Sequence, residues 1–307
     1  MPSDVVPSDV VPRDVVPSDA MPTDAPHTTG AADPRRESGA ALLRSELWVL
    51  FRRRRTWALL LALAAIPIMI AVAIRLSSSP SPGRGPAFLD QVSQNGLFVG
   101  VTALIVAIPL FLPLTIGVVA GDTIAGEASH GTLRYLLIAP AGRVRLLVVK
   151  YIGAAAFCLA AALTVVIAGT VIGALLFPVG PVTLLSGTTI GVGEALARFL
   201  AIAGYVTISL LGLSAIGLFI STITDVPVGA MAATISLAVA AQIVGVLPQL
   251  EWLHPWLFSQ HWLGFVDLLR DPVSWASFGD NALLQAGYIV VFGAFAYARF
   301  LTKDILS

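Results

Sequence analysis

Gly121-Asp122-Thr123-Ile124-Ala125-Gly126-Glu127-Ala128-Ser129-His130-Gly131-Thr132-Leu133-Arg134-Tyr135-Leu136-Leu137-Ile138-Ala139-Pro140, followed by Arg143, Arg145 and Lys150, is a polar, glycine-containing and charged stretch. Long apolar runs flank it, at about 97–119 and 146–177. An α-helix rises about 1.5 Å per residue, so about 20 apolar residues cross the hydrocarbon core of a bilayer. The stretch therefore reads as a connection between two membrane spans, pressed against the bilayer surface.

Four further runs are long enough to cross, at about 57–76, 198–222, 228–250 and 282–301. The run 146–177 is long enough to tilt or to begin outside the bilayer. Little more than Thr224-Asp225-Val226-Pro227 separates the fourth and fifth runs, which predicts a tight helical hairpin. Strands of a membrane barrel would alternate polar and apolar residues over about ten positions. These runs do not alternate. Composition agrees: 57% of the 307 residues are hydrophobic and 12% are charged, with mean hydropathy +0.87. A soluble domain carries about 25% charged residues. The expected fold is an all-α membrane protein with six transmembrane helices within residues 41–307. A short helix is expected between spans two and three.

Lys and Arg orient the bundle, because they accumulate on the cytoplasmic side. With the N-terminus inside, 14 of the 18 Lys and Arg residues are cytoplasmic, leaving Arg75, Arg84, Arg198 and Arg270 outside. Both termini and the polar stretch then face the cytoplasm, and the chain belongs in the plasma membrane. All six Trp residues fall near predicted interfaces, where an amphipathic ring is favoured. Before the first span, Leu43, Leu47, Leu50 and Phe51 recur at helical spacing, followed by Arg52, Arg53, Arg54 and Arg55. This predicts an interfacial helix lying on the cytoplasmic membrane surface, its Arg cluster against anionic lipid headgroups. The same Arg residues also serve as a topology anchor.

Residues 1–40 form a separate unit. They lack the apolar core of a cleavable signal peptide. They repeat a five-residue unit, from Pro2-Ser3-Asp4-Val5-Val6 to Pro22-Thr23-Asp24-Ala25-Pro26. Proline at every fifth position blocks a continuous helix and removes sheet donors, so an acidic disordered tail is expected. It reads first as a repeat that expanded without penalty, with a docking arm as the alternative.

Several chemistries lack their residues. Net charge is zero, so no global field favours nucleic acid. Away from the ends of the six runs there is no Asp, Glu, Lys or Arg, the usual mark of a proton relay or ion-coupled site. There is no zinc-protease His-Glu-x-x-His. Gly212-Leu213-Ser214-Ala215-Ile216-Gly217 misses the nucleophile spacing Gly-x-Ser-x-Gly by one residue. His254 and His261 are seven apart, a poor metal spacing, and a single cysteine, Cys158, excludes a multi-cysteine metal site. A phosphate loop needs Gly-Lys followed by Ser or Thr, yet the only two Lys residues follow Val149 and Thr302. No catalytic, metal or cofactor site is therefore expected in this chain.

Within the polar stretch, Leu133, Leu136 and Leu137 share one face of a short helix, with Arg134 turned away. Gly126 and Gly131 permit turns at either side of it, and Pro140 ends a helix. Glu127 is placed near a helix start, where the dipole favours a carboxylate. The same residues also suit an ordinary positive-inside loop in which Glu127 merely caps a helix.

The pattern Gly126-Glu127, Gly131-Thr132-Leu133, Leu136-Leu137, Pro140, Arg143 and Lys150 resembles the first cytoplasmic loop of ABC transporter permeases of the type-2 exporter family. The motif covers some thirty residues, and the wider organisation extends the likeness over about 42–304. Two positions depart from it: Val149 precedes Lys150 in place of the commoner Gly, and His130 replaces a Lys or Arg. The resemblance implies that the short helix is the coupling helix, resting on a separate ABC ATPase subunit through Gly126, Glu127, His130, Gly131, Thr132, Leu133, Arg134 and Pro140. It also implies pairing with a second permease subunit, ATP and Mg on the ATPase partner, and short outer helices within 251–280. The contrasting readings are an ATP-independent secondary transporter or channel, and a membrane anchor that transports nothing.

Overall fold

The computed structural model describes residues 39–76, 92, 95–129 and 143–302. The helices are α1 Gly39–Arg52, α2 Arg54–Leu76, α3 Phe98–Ala107, α4 Phe111–Ser129, α5 Arg143–Leu176, α6 Val192–Ile223, α7 Pro227–Gly245 and α8 Ala276–Thr302. Six of them are long and apolar enough to cross a membrane: α2, α4, α5, α6, α7 and α8. Among the described residues the helices dominate, and one short hairpin, β1 Val182–Thr183 with β2 Thr189–Ile190, breaks the all-α expectation. Val182 pairs with Ile190 and Thr183 with Thr189, and Gly187 in the turn has φ +85°, a left-handed conformation that glycine adopts without a Cβ clash. The Leu185-Ser186-Gly187 run is the tip of this hairpin.

The second span differs most from its sequence expectation. A continuous helix over 97–119 is replaced by two, α3 and α4, with a break at 108–110. Pro109 and Pro113 have no N–H to donate to the carbonyls four residues earlier, which ends one helix and allows another to start at an angle. At ten residues, α3 rises only about 15 Å, too little to cross. The crossing helix is α4, and it carries the polar stretch inside it as far as Ser129. Elsewhere the boundaries move less. α7 ends at Gly245 instead of 250, and Pro248 begins a 3-10 segment, Pro248–Trp256. α6 starts at Val192 instead of 198, its first turns held by Glu194 and Arg198 at 2.8 Å.

α5 and α6 form the centre. α5 packs on α1, α2, α3, α4 and α6, and α6 packs on α4, α5, α7 and α8. Glycines permit the closest approaches. A Cβ on Gly169 or Gly173 of α5 would run into the backbone at Gly100 or Gly96, and a Cβ on Gly121 of α4 would lie 2.7 Å from the amide nitrogen of Met231. The Gly117-x-x-x-Gly121 and Gly169-x-x-x-Gly173 pairs thus serve packing within the chain.

The region between α7 and α8 is tied to α6 by hydrogen bonds, neutral ones around Ser209 and charged ones at Arg198. The indole of Trp262 is buried and donates to the carbonyl of Ser209 at 2.8 Å. This ring was expected at a membrane interface. It lies inside because its N–H finds a carbonyl there and its rings pack beside Phe258. Asn281 Nδ2 donates to Ser209 Oγ at 2.8 Å, Gln285 Nε2 to the carbonyl of Phe258 at 2.8 Å, and the Gly212 amide to Gln285 Oε1 at 3.1 Å. Tyr205 Oη donates to the carbonyl of His261 at 2.8 Å. His254 Nε2 lies 3.0 Å from the carbonyl of Val244, a structural contact within the chain. A second 3-10 segment, Gly264–Leu269, is fixed by Arg198, whose Nη1 donates to the carbonyls of Leu268 and Arg270 at 3.2 and 2.8 Å.

Candidate functional site

The last turns of α4 hold Asp122, Gly126 and Glu127. The expectation of a turn at Gly126 and a helix start at Glu127 is overturned: both lie within the helix. Gly126 matters for a different reason. A Cβ there would stand 2.7 Å from Asp122 Oδ1, so the glycine makes room for the carboxylate one turn back. Glu127 sits at the negative end of the helix dipole, where a carboxylate is disfavoured by about 0.3–1 kcal/mol. Lys150, in the third turn of α5, is likewise nearer the positive end of its own helix. Neither residue is placed by its helix. Each is placed by the other.

Lys150 Nζ donates to Glu127 Oε1, and to both oxygens of Glu46 at 2.9 and 2.8 Å. The lysine side chain is only 5% exposed, against 17% for Glu127 and 23% for Glu46. One buried ammonium therefore joins α1, α4 and α5. Beside it, Asp122 Oδ2 accepts from Arg53 and Arg55 at 3.4 Å each, and Arg55 Nη2 reaches Met231 Sδ of α7 at 2.9 Å. Three carboxylates and three cations balance one another in this cluster, which with Met231 joins five helices. A cavity of about 40 Å³ lies among Glu46, Arg53, Arg55, Asp122 and Lys150.

The backbone joins in. Ser221 Oγ of α6 accepts from the amides of Ile124 and Ala125 at 2.9 and 2.8 Å. The α1–α2 corner is held by Thr56 Oγ1 donating to the carbonyl of Leu50 at 2.6 Å and Trp57 Nε1 to that of Phe51 at 2.8 Å. The four Arg residues at this corner divide their work. Arg53 and Arg55 face Asp122, the guanidinium of Arg52 lies 4.4 Å from the ring centroid of Trp48, and Arg54 is exposed.

Of the residues singled out in the sequence, Gly126 and Glu127 are in the cluster. His130, Gly131, Thr132, Leu133, Arg134 and Pro140 lie outside the described residues. Glu46, Asp122, Lys150 and Ser221 were not given site roles, although a signal existed for two of them. Lys150 stands between Val149 and Tyr151 in an apolar run, and Glu46 is the one acidic residue of α1. A charge in such a setting needs a partner.

A family model described as ABC-2 family transporter protein matches residues 42–241, well over half of the chain and all six charged members of the cluster. The chain belongs to the ABC-2 transporter family. It is a multi-pass membrane component of the ABC-2 permease type, and such permeases typically carry no ATPase domain of their own. Membership therefore implies an ATPase on another chain. No curated protein matches this ABC-2 permease. Among its described residues no group of three His, Cys, Asp or Glu is placed to hold a metal ion. The cluster offers charge pairing across helices.

Proposed function

We propose that this chain is the membrane-spanning subunit of an ATP-driven exporter in the plasma membrane, and that the ion cluster is where movement of the ATPase enters the bundle. The observation that carries the reading is the position of the Glu127–Lys150 pair. The two residues flank the segment 128–149 and tie its ends together. A force on that segment acts on α4 and α5 as a unit, and through Glu46 on α1. Breaking such a buried pair on one side costs about 3–5 kcal/mol, enough to make the base of the segment stiff. The segment contains His130, Gly131, Thr132, Leu133, Arg134 and Pro140, which on this reading contact the ATPase.

The charge bias of Lys and Arg supports a cytoplasmic location for this end and for both termini. The amphipathic α1 then lies along the cytoplasmic membrane surface, with Arg52 and Arg54 toward lipid headgroups. Two permease subunits pair, each with one ATPase. ATP binding closes the ATPases and switches the access of the spans, whose apolar character suits a hydrophobic or amphiphilic cargo.

The test is transport and stimulated ATP hydrolysis in proteoliposomes holding the permease and its ATPase. Glu127→Ala is expected to insert normally but to lose transport while hydrolysis continues. The exchanged pair Glu127→Lys with Lys150→Glu should recover part of the coupling. Unchanged transport and stimulated hydrolysis in Glu127→Ala would remove the cluster from the coupling path. Vectorial flux with no ATPase present would favour a secondary transporter or channel instead.

A further inference from the structure

At the end of the bundle away from the ion cluster lies a larger cavity, about 580 Å³. One wall is the chain around Pro255, Trp256 and His261. The other is a single face of α8, in which Asp280, Leu283, Leu284, Gly287, Tyr288 and Val291 follow one another at helical spacing down to Phe292. Over these residues the helix rises about 18 Å, so the cavity is a groove running along α8. Every lining residue lies beyond residue 241, outside the part matched to the family.

The groove has two chemically distinct parts. Along its length the walls are apolar and preformed. Tyr288 Oη donates to the carbonyl of Trp256 at 2.6 Å, the Tyr288 ring meets Phe258 edge-on at 5.7 Å, and it stacks on Phe292 at 5.8 Å with an interplanar angle of 1°. A wall braced in this way does not have to be ordered when a ligand arrives. Gly287 leaves the floor open, since a Cβ there would meet nothing within 4 Å. At the mouth the chemistry changes. Asp280 is exposed and, among the described residues, is in no ion pair. Trp256, 70% exposed, lines the same cavity. A carboxylate and an open indole ring are both attractive to an organic cation.

We propose that this groove binds a cationic amphiphile, its apolar body lying along α8 between Leu283 and Phe292 and its cationic head between Asp280 and Trp256. The carboxylate discriminates against anionic amphiphiles of the same size, and a small hydrophilic cation gains nothing from the apolar wall. The inference rests on the proposed export function only in taking the bound amphiphile as cargo.

The test uses the full chain in nanodiscs of zwitterionic lipid, without an ATPase. Rhodamine 6G, a cationic aromatic amphiphile, is titrated and followed by fluorescence anisotropy, with anionic anilinonaphthalene sulfonate as the comparison probe. Wild type should bind rhodamine 6G saturably. Asp280→Asn should weaken that binding by about twofold to fivefold, the range for an exposed charge pair, and should strengthen rather than weaken binding of the anionic probe. Gly287→Leu should abolish rhodamine binding. That side chain enters open space on a helix, so thermal unfolding should match wild type, which separates groove filling from misfolding. Rhodamine affinity that is equal in wild type and both variants overturns the site. So does efficient disulfide formation between two copies of Gly287→Cys, because the face is then covered by a second copy. Retained coupling in Glu127→Ala with rhodamine binding intact would count against the ion cluster and not against the groove.

Discussion

The C-terminal end of α6 and its middle are held by different physics. At Ser221 the helix meets a turn of α4 whose charges are balanced by Arg53, Arg55 and Lys150. About 18 Å away along the same helix, at Ser209, it meets Trp262, Asn281 and, one turn on, Gln285, all neutral. Burying a charge without its partner costs far more than burying an amide without its own. The buried centre of the charged end, at Lys150, should therefore tolerate no partial loss, whereas the neutral region should lose stability bond by bond. A region that transmits force needs the first property. A region that anchors a surface segment needs only the second.

The largest expected effect breaks the charged end at its centre. Lys150→Met takes the shared ammonium away from Glu46 and Glu127, and should lower stability by about 3–5 kcal/mol. Equilibrium unfolding in mixed micelles reads this directly, and a loss no greater than that of the neutral-region variants would erase the distinction between the two regions. Next comes Gln285→Leu, which strips partners from the Gly212 amide and the Phe258 carbonyl and should cost about 1–3 kcal/mol in the same assay. Asn281→Ala removes one side-chain bond to Ser209 and should cost about 0.6–1.7 kcal/mol, with the double variant Asn281→Ala/Ser209→Ala measuring how far the loss is shared. The smallest effect sharpens the comparison within the charged end itself. Asp122→Asn releases two Arg residues that are about half exposed, and should change stability by less than about 1 kcal/mol. A loss approaching that of Lys150→Met would mean that the six charges act as one unit.

The number of crossing helices was legible in the sequence because hydropathy is a local property, summed over about 20 consecutive residues. What escaped was decided by contacts between distant residues. Asp122 and Glu127 look like loop residues when only their neighbours are read, because an unpaired carboxylate does not belong in a membrane helix. Arg53 and Arg55 lie 69 and 67 residues from Asp122, and Lys150 lies 23 from Glu127. Those partners, with Ser221 from α6, are what allow α4 to continue to Ser129. Pro109 and Pro113 carried a visible warning of a kink in the second span, yet not that the crossing part would begin after them. Trp262 was misplaced for the same reason: its interfacial character is a tendency of the residue, and the Ser209 carbonyl overrides it.

The oxygen of Ser221 accepts two consecutive amides of α4, a contact with only one register. Sliding α4 along α6 by a single residue would cost the Ser221 oxygen both of its amide donors. The joint can therefore rotate or travel whole, and it has no slack in between. α6 also packs on α8, so the α4–α6 joint and the wall of the amphiphile groove share one supporting helix.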